Sequence, residues 1–312
     1  MKIAFVFPGQ GSQTVGMTAG LADSPAAQKV LARADDALGE PLTKLMAEGP
    51  AENLNLTVNT QPAILAASCA VYEAWLAAGG VKPALAAGHS LGEYSALTAA
   101  GVFTLEEAVR LVRFRANAMQ EAVPVGVGAM AAVIGLTDET VEAACASVRA
   151  EEVVEPVNFN SPGQVVIAGH KAAVERACEA CKAVGAKRAL MLAVSGPFHS
   201  QLLKGAAEKL AGRLAEISVN TPQFDVIANV NAEFEADADV IRRNLALQAA
   251  SPVQWVKTVR KMKAEGVTHV VECGPGRVLT GLIRRIDPTL ETANISSAAS
   301  IAELVAKDGF HV

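Results

Sequence analysis

The sequence predicts an α/β fold, with a parallel sheet carrying helices on both faces and a small unit inserted into it. Three observations carry this expectation. A short apolar run, Ile3 to Phe7, is stopped by the turn-rich Pro8-Gly9-Gln10-Gly11-Ser12-Gln13, and similar runs alternate with helical patterns over most of the chain. Between residues 126 and 196 the rhythm changes to β-α-β-β-α-β. Finally, a G-x-S-x-G stands between an apolar strand and a helix of small residues.

Taken in order, Lys2 to Phe7 reads as a buried strand, and a helix follows the cap Ser24-Pro25 and ends at Gly39. Another helix starts near Thr60-Gln61-Pro62 and stops at Gly79-Gly80. A short apolar strand, Ala84 to Ala87, leads through a glycine-flanked turn into a small-residue helix ending near Gly101. Thr104 and Glu107 form a capping box for a helix from Leu105 to about Glu121. Strands at 128–135, 153–160, 163–170 and 187–196, with helices at 138–148 and 171–185, then give the order of a ferredoxin-like subdomain, residues 126–196. The large domain, residues 1–125 and 197–312, resumes with a strand at 225–231 and helices near 237–248 and 253–265. A strand at 268–272 and a helix after Gly274-Pro275-Gly276 follow.

Composition narrows the function. With 27 Lys+Arg against 32 Asp+Glu among 312 residues, the net charge of −5 and the absence of a basic cluster with interleaved aromatics argue against nucleic acid as a partner. The most apolar stretch, Val81 to Phe103, is interrupted by Lys82, His89, Ser90, Glu93 and Tyr94, short of the about 18 apolar residues a membrane span needs. The apolar run at Ile3–Phe7 is too short for a signal-peptide core of about 7–15 residues, so a cytoplasmic protein is expected. Five sparse cysteines suit reduced thiols. Cys178 and Cys181 make a CxxC inside a helical pattern with no further ligands nearby, which reads as structural, and no metal site is expected.

The chemistry centres on Gly88-His89-Ser90-Leu91-Gly92. A serine hydroxyl needs exposure and a base to act as a nucleophile, and a tight strand-to-helix turn supplies the exposure. The same turn aims the Leu91 amide at a developing oxyanion. Of the five histidines, His311 is terminal and expected to fray, His269 and His170 lie in strands, and His89 adjoins the serine as a supporting residue. His199 remains, in a loop where the small subdomain rejoins the large one. No acidic residue offers itself as a third member, so a carbonyl is a candidate to orient the imidazole. Arg115 borders the apolar face of its helix. Its partner is either an internal carboxylate, solvent reached by snorkelling, or an anion arriving with the substrate.

FPGQGSQ at 7–13, GHSLGEYSALTAAG at 88–101, RFRANAMQEAVP at 113–124, VNFNSPGQVVIAG at 157–169, GPFHS at 196–200, SPVQW at 251–255 and ECGPGRVLTGL at 272–282 together resemble the malonyl-CoA:acyl carrier protein transacylases, stand-alone acyltransferases of bacterial fatty-acid synthesis. The resemblance covers essentially the whole chain. It implies a hydrolase-like α/β core with the ferredoxin-like insertion, Ser90 as nucleophile and His199 as base. It further implies that the Gln248 main-chain carbonyl orients His199, that Gln10 and the Leu91 amide form the oxyanion hole, and that Arg115 binds the malonyl carboxylate. Phe198 matches the malonyl-type pattern, where methylmalonyl-type relatives have a smaller residue. By the same resemblance malonyl-CoA is the substrate and the phosphopantetheine thiol of acyl carrier protein the acceptor. No cofactor is called for, and a monomer is expected. A trans-acting polyketide-pathway acyltransferase, a serine esterase or thioesterase, and a silent docking subunit are the competing readings.

Overall fold

Ile3–Phe7 forms strand β1 with all five residues buried, as a strand covered on both faces requires. In the computed structural model, which describes residues 1–312, its side chains divide by the two-residue period of a strand. Ile3, Phe5 and Phe7 pack with the helices Pro25–Leu38, Thr57–Ala77, Leu91–Ala99 and Leu105–Glu121, while Ala4 and Val6 join Trp255–Ala264 and Val278–Ile286 on the other side. The remaining strands are β2 (Leu85–Gly88), β3 (Gly128–Ile134), β4 (Val154–Ser161), β5 (Gln164–His170), β6 (Arg188–Met191), β7 (Asp225–Ile227), β8 (His269–Cys273) and β9 (Glu291–Ile295). The large sheet runs β7-β2-β1-β8-β9 with every pair parallel. The predicted parallel sheet with helices on both faces is therefore present.

The small sheet is antiparallel in the order β4-β5-β3-β6, the ferredoxin-like arrangement. Its helices, Asp138–Val148 and Lys171–Ala183, cover one face, and Cys145, Cys178 and Cys181 lie in that core. All five cysteines are free and buried, and the CxxC is a packing feature. The opposite face turns Met130, Val166 and Ala168 toward Met119, Phe198 and Leu203. The segment after helix Ala238–Gln248 stitches the two sheets together, since Val253 donates to the Val157 carbonyl and Phe159 donates to that of Val253.

Several boundaries differ from the sequence reading. The helix expected from Thr60 begins at Thr57, so Pro62 falls inside it; a nearly all-buried helix compensates through packing for the one bond that proline forfeits. The strand expected at 225–231 stops at Ile227, because Asn229 turns its amides toward the β2 turn. The strand expected at 187–196 covers only Arg188–Met191, after which the chain leaves the sheet. The helices Leu42–Glu48, Lys204–Ala215 and Ala298–Val305, and strand β9, were not anticipated. His311 does not fray: Val312 donates to Gly79, Val81 donates to Phe310, and the Phe310 ring packs on Trp75. No helix is long and apolar enough to cross a membrane.

Candidate active site

β2 ends at Gly88, and the helix Leu91–Ala99 begins only three residues later. The turn is so tight that both flanking glycines are obligatory. A Cβ on Gly88 would lie 1.8 Å from the Gly92 carbonyl carbon, and one on Gly92 would lie 2.0 Å from the Phe7 oxygen. Gly92→Ala is accordingly expected to destabilise the fold by about 3 kcal/mol or more, at the upper end of overpacking costs. Chemical denaturation would show it, and an unchanged midpoint would contradict the packing described. Between these glycines Ser90 adopts φ 52° and ψ −109°, a strain of about 1–3 kcal/mol that the surroundings must hold in place.

Parallel pairing decides what stands beside the serine. β1 on one side ends in the loop that carries Gln10, and β7 on the other leads to Asn229. Asn229 clamps the turn: its Oδ1 accepts from the Ser90 amide at 2.7 Å and its Nδ2 donates to the Gly88 carbonyl at 2.6 Å. Gln10 lines the cavity above Ser90 together with Leu91, and its Nε2 donates to Thr57 Oγ1 at 3.2 Å. The Leu91 amide, at the first position of its helix, has no carbonyl one turn back to bond and is free to serve an anion.

His199 Nε2 lies 2.7 Å from Ser90 Oγ. Its Nδ1 donates to the main-chain carbonyl of Gln248 at 2.8 Å, which leaves Nε2 as the unprotonated nitrogen facing the hydroxyl. The ring is 4% exposed. Burial, reinforced by the nearby Arg115 charge, pushes the imidazole down to about 3. It is therefore a neutral base through the mildly acidic range. Serine acylation is expected to hold level as the pH falls through about 6.5, where an ordinary histidine would protonate. A pre-steady-state pH profile showing half-loss near that value would contradict this. The stability sign follows: the unfolded chain takes up a proton below about 6.5 that the folded ring refuses, so this site costs stability as pH falls toward about 3.

Arg115 is 1% exposed, which removes snorkelling, and it makes no ion pair with a carboxylate of the protein. Its guanidinium donates to Gln61 Oε1 at 2.7 Å, Gln248 Oε1 at 2.8 Å and Ser90 Oγ at 3.1 Å, while Nε has no partner. The face of Tyr94 lies 5.2 Å away. Burial pulls the guanidinium down from its ordinary value, and Tyr94 and Glu93 oppose that pull. A buried cation held only by neutral groups is poised to receive an anion. Phe198, immediately before the histidine, closes one wall of a cavity of about 220 Å³.

All seven residues singled out from the sequence surround this cavity or directly support it. Four others were missed. Glu93 is the only charged residue of the helix Leu91–Ala99, a signal that was available, whereas Gln61 stands with Thr57, Asn59 and Thr60 at the polar start of its helix. Asn160, whose Oδ1 accepts from His89 Nε2 at 2.7 Å, and Asn229 gave no such sign. The remaining histidines are structural: His170 Nδ1 accepts from the Val153 amide, and His269 pairs with Glu291 at 3.2 Å. In the ECGPGRVLTGL segment, buried Glu272 caps the helix Val278–Ile286 by accepting from the amides of Leu279 and Thr280.

The assembled groups are a hydroxyl, a base of fixed tautomer, a free helix-terminal amide and a buried cation, a set able to carry out acyl transfer through a serine ester. Comparison with known proteins bears on which acyl group. A family model described as an acyl transferase domain matches residues 4–309. The chain is 56% identical over 302 residues to the malonyl CoA-acyl carrier protein transacylase of Escherichia coli (strain K12), covering 96% of this chain and 98% of that one. It superposes with a TM-score of 0.96 on an acyl-carrier-protein S-malonyltransferase from Burkholderia pseudomallei 1710b, at 56% identity over 97% of this chain and 99% of that one. A malonyl-transacylase solved in complex with a type II PKS acyl-carrier protein gives 0.95 at 53% identity, over 96% and 98% of the two chains.

Proposed function

This chain belongs to the acyl transferase family, among its malonyl CoA-acyl carrier protein transacylases, and from that premise we propose a two-step transfer through Ser90. The overall reaction moves the malonyl group of malonyl-CoA to an acyl carrier protein. Ser90 Oγ attacks the thioester carbonyl while His199 Nε2 takes its proton. The oxyanion is met by the Leu91 amide with a donor from Gln10, and collapse expels the CoA sulfur, which takes the proton back from His199. Malonyl-Ser90 remains. The phosphopantetheine thiol of the carrier then attacks, giving its proton to His199, which returns it to Ser90 Oγ as the ester breaks. The two halves give ping-pong kinetics, and the chemistry is supplied entirely by these side chains and amides.

One observation carries the malonyl assignment. The Arg115 guanidinium stands 3.1 Å from Ser90 Oγ with only neutral partners, so an acyl group bearing a carboxylate gains a charge-assisted contact there that acetyl cannot. A plain esterase or thioesterase has no use for that cation. Intact-protein mass after mixing with malonyl-CoA tests the reading: a malonyl-sized gain should persist in buffer and discharge onto holo carrier protein. A gain that decays to malonate at the same rate without carrier would favour the hydrolase. We read the physiological acceptor as the carrier of fatty-acid synthesis; relative kcat/KM for fatty-acid and polyketide carriers distinguishes the two. The free buried thiols support a reducing, cytoplasmic setting.

A further inference from the structure

Directly behind the Ser90 turn lie two acids that the transfer steps do not use. Glu93 is 1% exposed and Glu235 is 3% exposed. Each has one carboxyl oxygen fully engaged. Glu93 Oε2 accepts from the Asn229 amide at 3.0 Å and from Gln248 Nε2 at 2.7 Å, and Glu235 Oε2 accepts from Asn244 Nδ2 at 2.8 Å. The other oxygen of each, Oε1, is buried with no hydrogen-bond partner, and the two carboxyl groups are near enough to act directly on one another. Two carboxylates have no proton to bond with, and two unpaired buried charges in contact would repel strongly, so one of the pair must carry a proton. Glu93 already accepts two hydrogen bonds and feels the Arg115 charge, which marks it as the ionised member.

We propose that Glu93 and Glu235 hold one proton between them, with Glu235 donating to the Glu93 carboxylate, and that this pair is a positioning device for the active site. The route is explicit. The Glu93 carboxylate captures Gln248 Nε2, and this turns Gln248 Oε1 toward Arg115 Nη2. The same Gln248 supplies the carbonyl that fixes the His199 tautomer, and its Nε2 also donates to the Ser90 carbonyl at 2.9 Å. Through Asn229, Glu93 holds the Ser90 amide as well. One buried carboxylate thus aligns base, cation and nucleophile, and Glu235 keeps that carboxylate hydrogen-bonded without adding a second charge.

The groups facing the pair are Arg115 from helix Leu105–Glu121, Tyr94 beside Glu93, and the neutral amides of Asn229, Asn244 and Gln248. Burial pushes both carboxyls above the ordinary range, Glu235 further than Glu93. The folded protein therefore keeps a proton that the unfolded chain releases above about 4.3. The stability this contributes is complete below that pH and is progressively lost as pH rises until the pair gives up its proton.

The test compares wild type with Glu235→Gln, which keeps a donor toward Glu93, and Glu235→Leu, which does not. At neutral pH the wild-type minus Glu235→Gln infrared difference spectrum should contain the C=O band of a protonated carboxylic acid. The wild-type thermal midpoint should fall more steeply with rising pH than that of Glu235→Gln. Glu235→Leu should lose about 10- to 100-fold in kcat with little change in KM, the cost of slight misplacement of catalytic groups, and Glu235→Gln should recover most of it. A difference spectrum without the band, or parallel pH slopes, would overturn the shared proton. Equal activity in the Gln and Leu variants would overturn the positioning role. If Glu235→Leu fails to fold, the spectrum and the slopes of Glu235→Gln still decide the shared proton, and Glu235→Ala, which also lacks a donor toward Glu93, takes the place of Glu235→Leu in the activity comparison. The positioning role rests on the acyl-transfer reading, but the band does not. An absent band with an intact acyl-enzyme would reject the pair alone, and a band without any acyl-enzyme would reject the transfer reading alone.

Discussion

Ser90→Ala is expected to take up no malonyl group at all and to lose about 10⁴- to 10⁶-fold in transfer rate, the range seen when a nucleophile that works with its base as a unit is removed. The reason lies in the geometry around one oxygen. Ser90 Oγ receives a hydrogen bond from Arg115, gives its proton toward His199 Nε2, and is held out by a strained turn that two glycines and Asn229 stabilise. No other hydroxyl has this environment: Ser90 is the one hydroxyl-bearing residue that lines the cavity, and it alone bonds to His199 Nε2. Intact mass and rapid-quench transfer measure the loss directly, and a matched thermal midpoint separates it from unfolding. A Ser90→Ala protein that still gained a malonyl-sized mass would place the nucleophile elsewhere.

Arg115→Ala should cut kcat/KM for malonyl-CoA by about 2–5 kcal/mol, the cost of breaking a buried charge pair, or about 30- to 5,000-fold. Acetyl transfer should fall much less, because acetyl has no carboxylate to strand. That internal comparison matters, since the substitution also removes donors from Gln61 and Gln248 and leaves a cavity that disturbs both substrates alike. The ratio of malonyl to acetyl rates cancels the shared damage. If the two substrates lose activity in equal measure, Arg115 supports the structure and the specificity lies elsewhere.

Much of this site was legible in the sequence because its constraints are local. Gly88 is set by its close approach to Gly92 four positions on, and the capping box of Thr104 and Glu107 is complete within four positions. The continuous apolar run at β1 marked a strand buried on both faces, and the helical period around Arg115 placed that residue at the border of its apolar face. The boundaries that were misread had long-range causes. β7 ends early because Asn229 is drawn 139 positions back along the chain to the Ser90 amide, and Thr57–Asn59 is helical because Thr57 and Thr60 turn into the core.

By itself, then, the sequence determined the α/β class, the sharp turn at Ser90, and the candidacy of His199 and Arg115. The class, the turn and Arg115 follow from sterics or periodicity acting over a few residues, and His199 from elimination among five histidines and its place at the subdomain junction. Only the tertiary structure decided that Arg115 has no carboxylate of the protein as partner, that His199 Nε2 is the free nitrogen, and that Glu93 lies against Glu235. These are pairings between groups far apart in the chain, fixed by the order of strands in a parallel sheet. Several of them run through main-chain amides and carbonyls, which every residue has and no sequence position advertises.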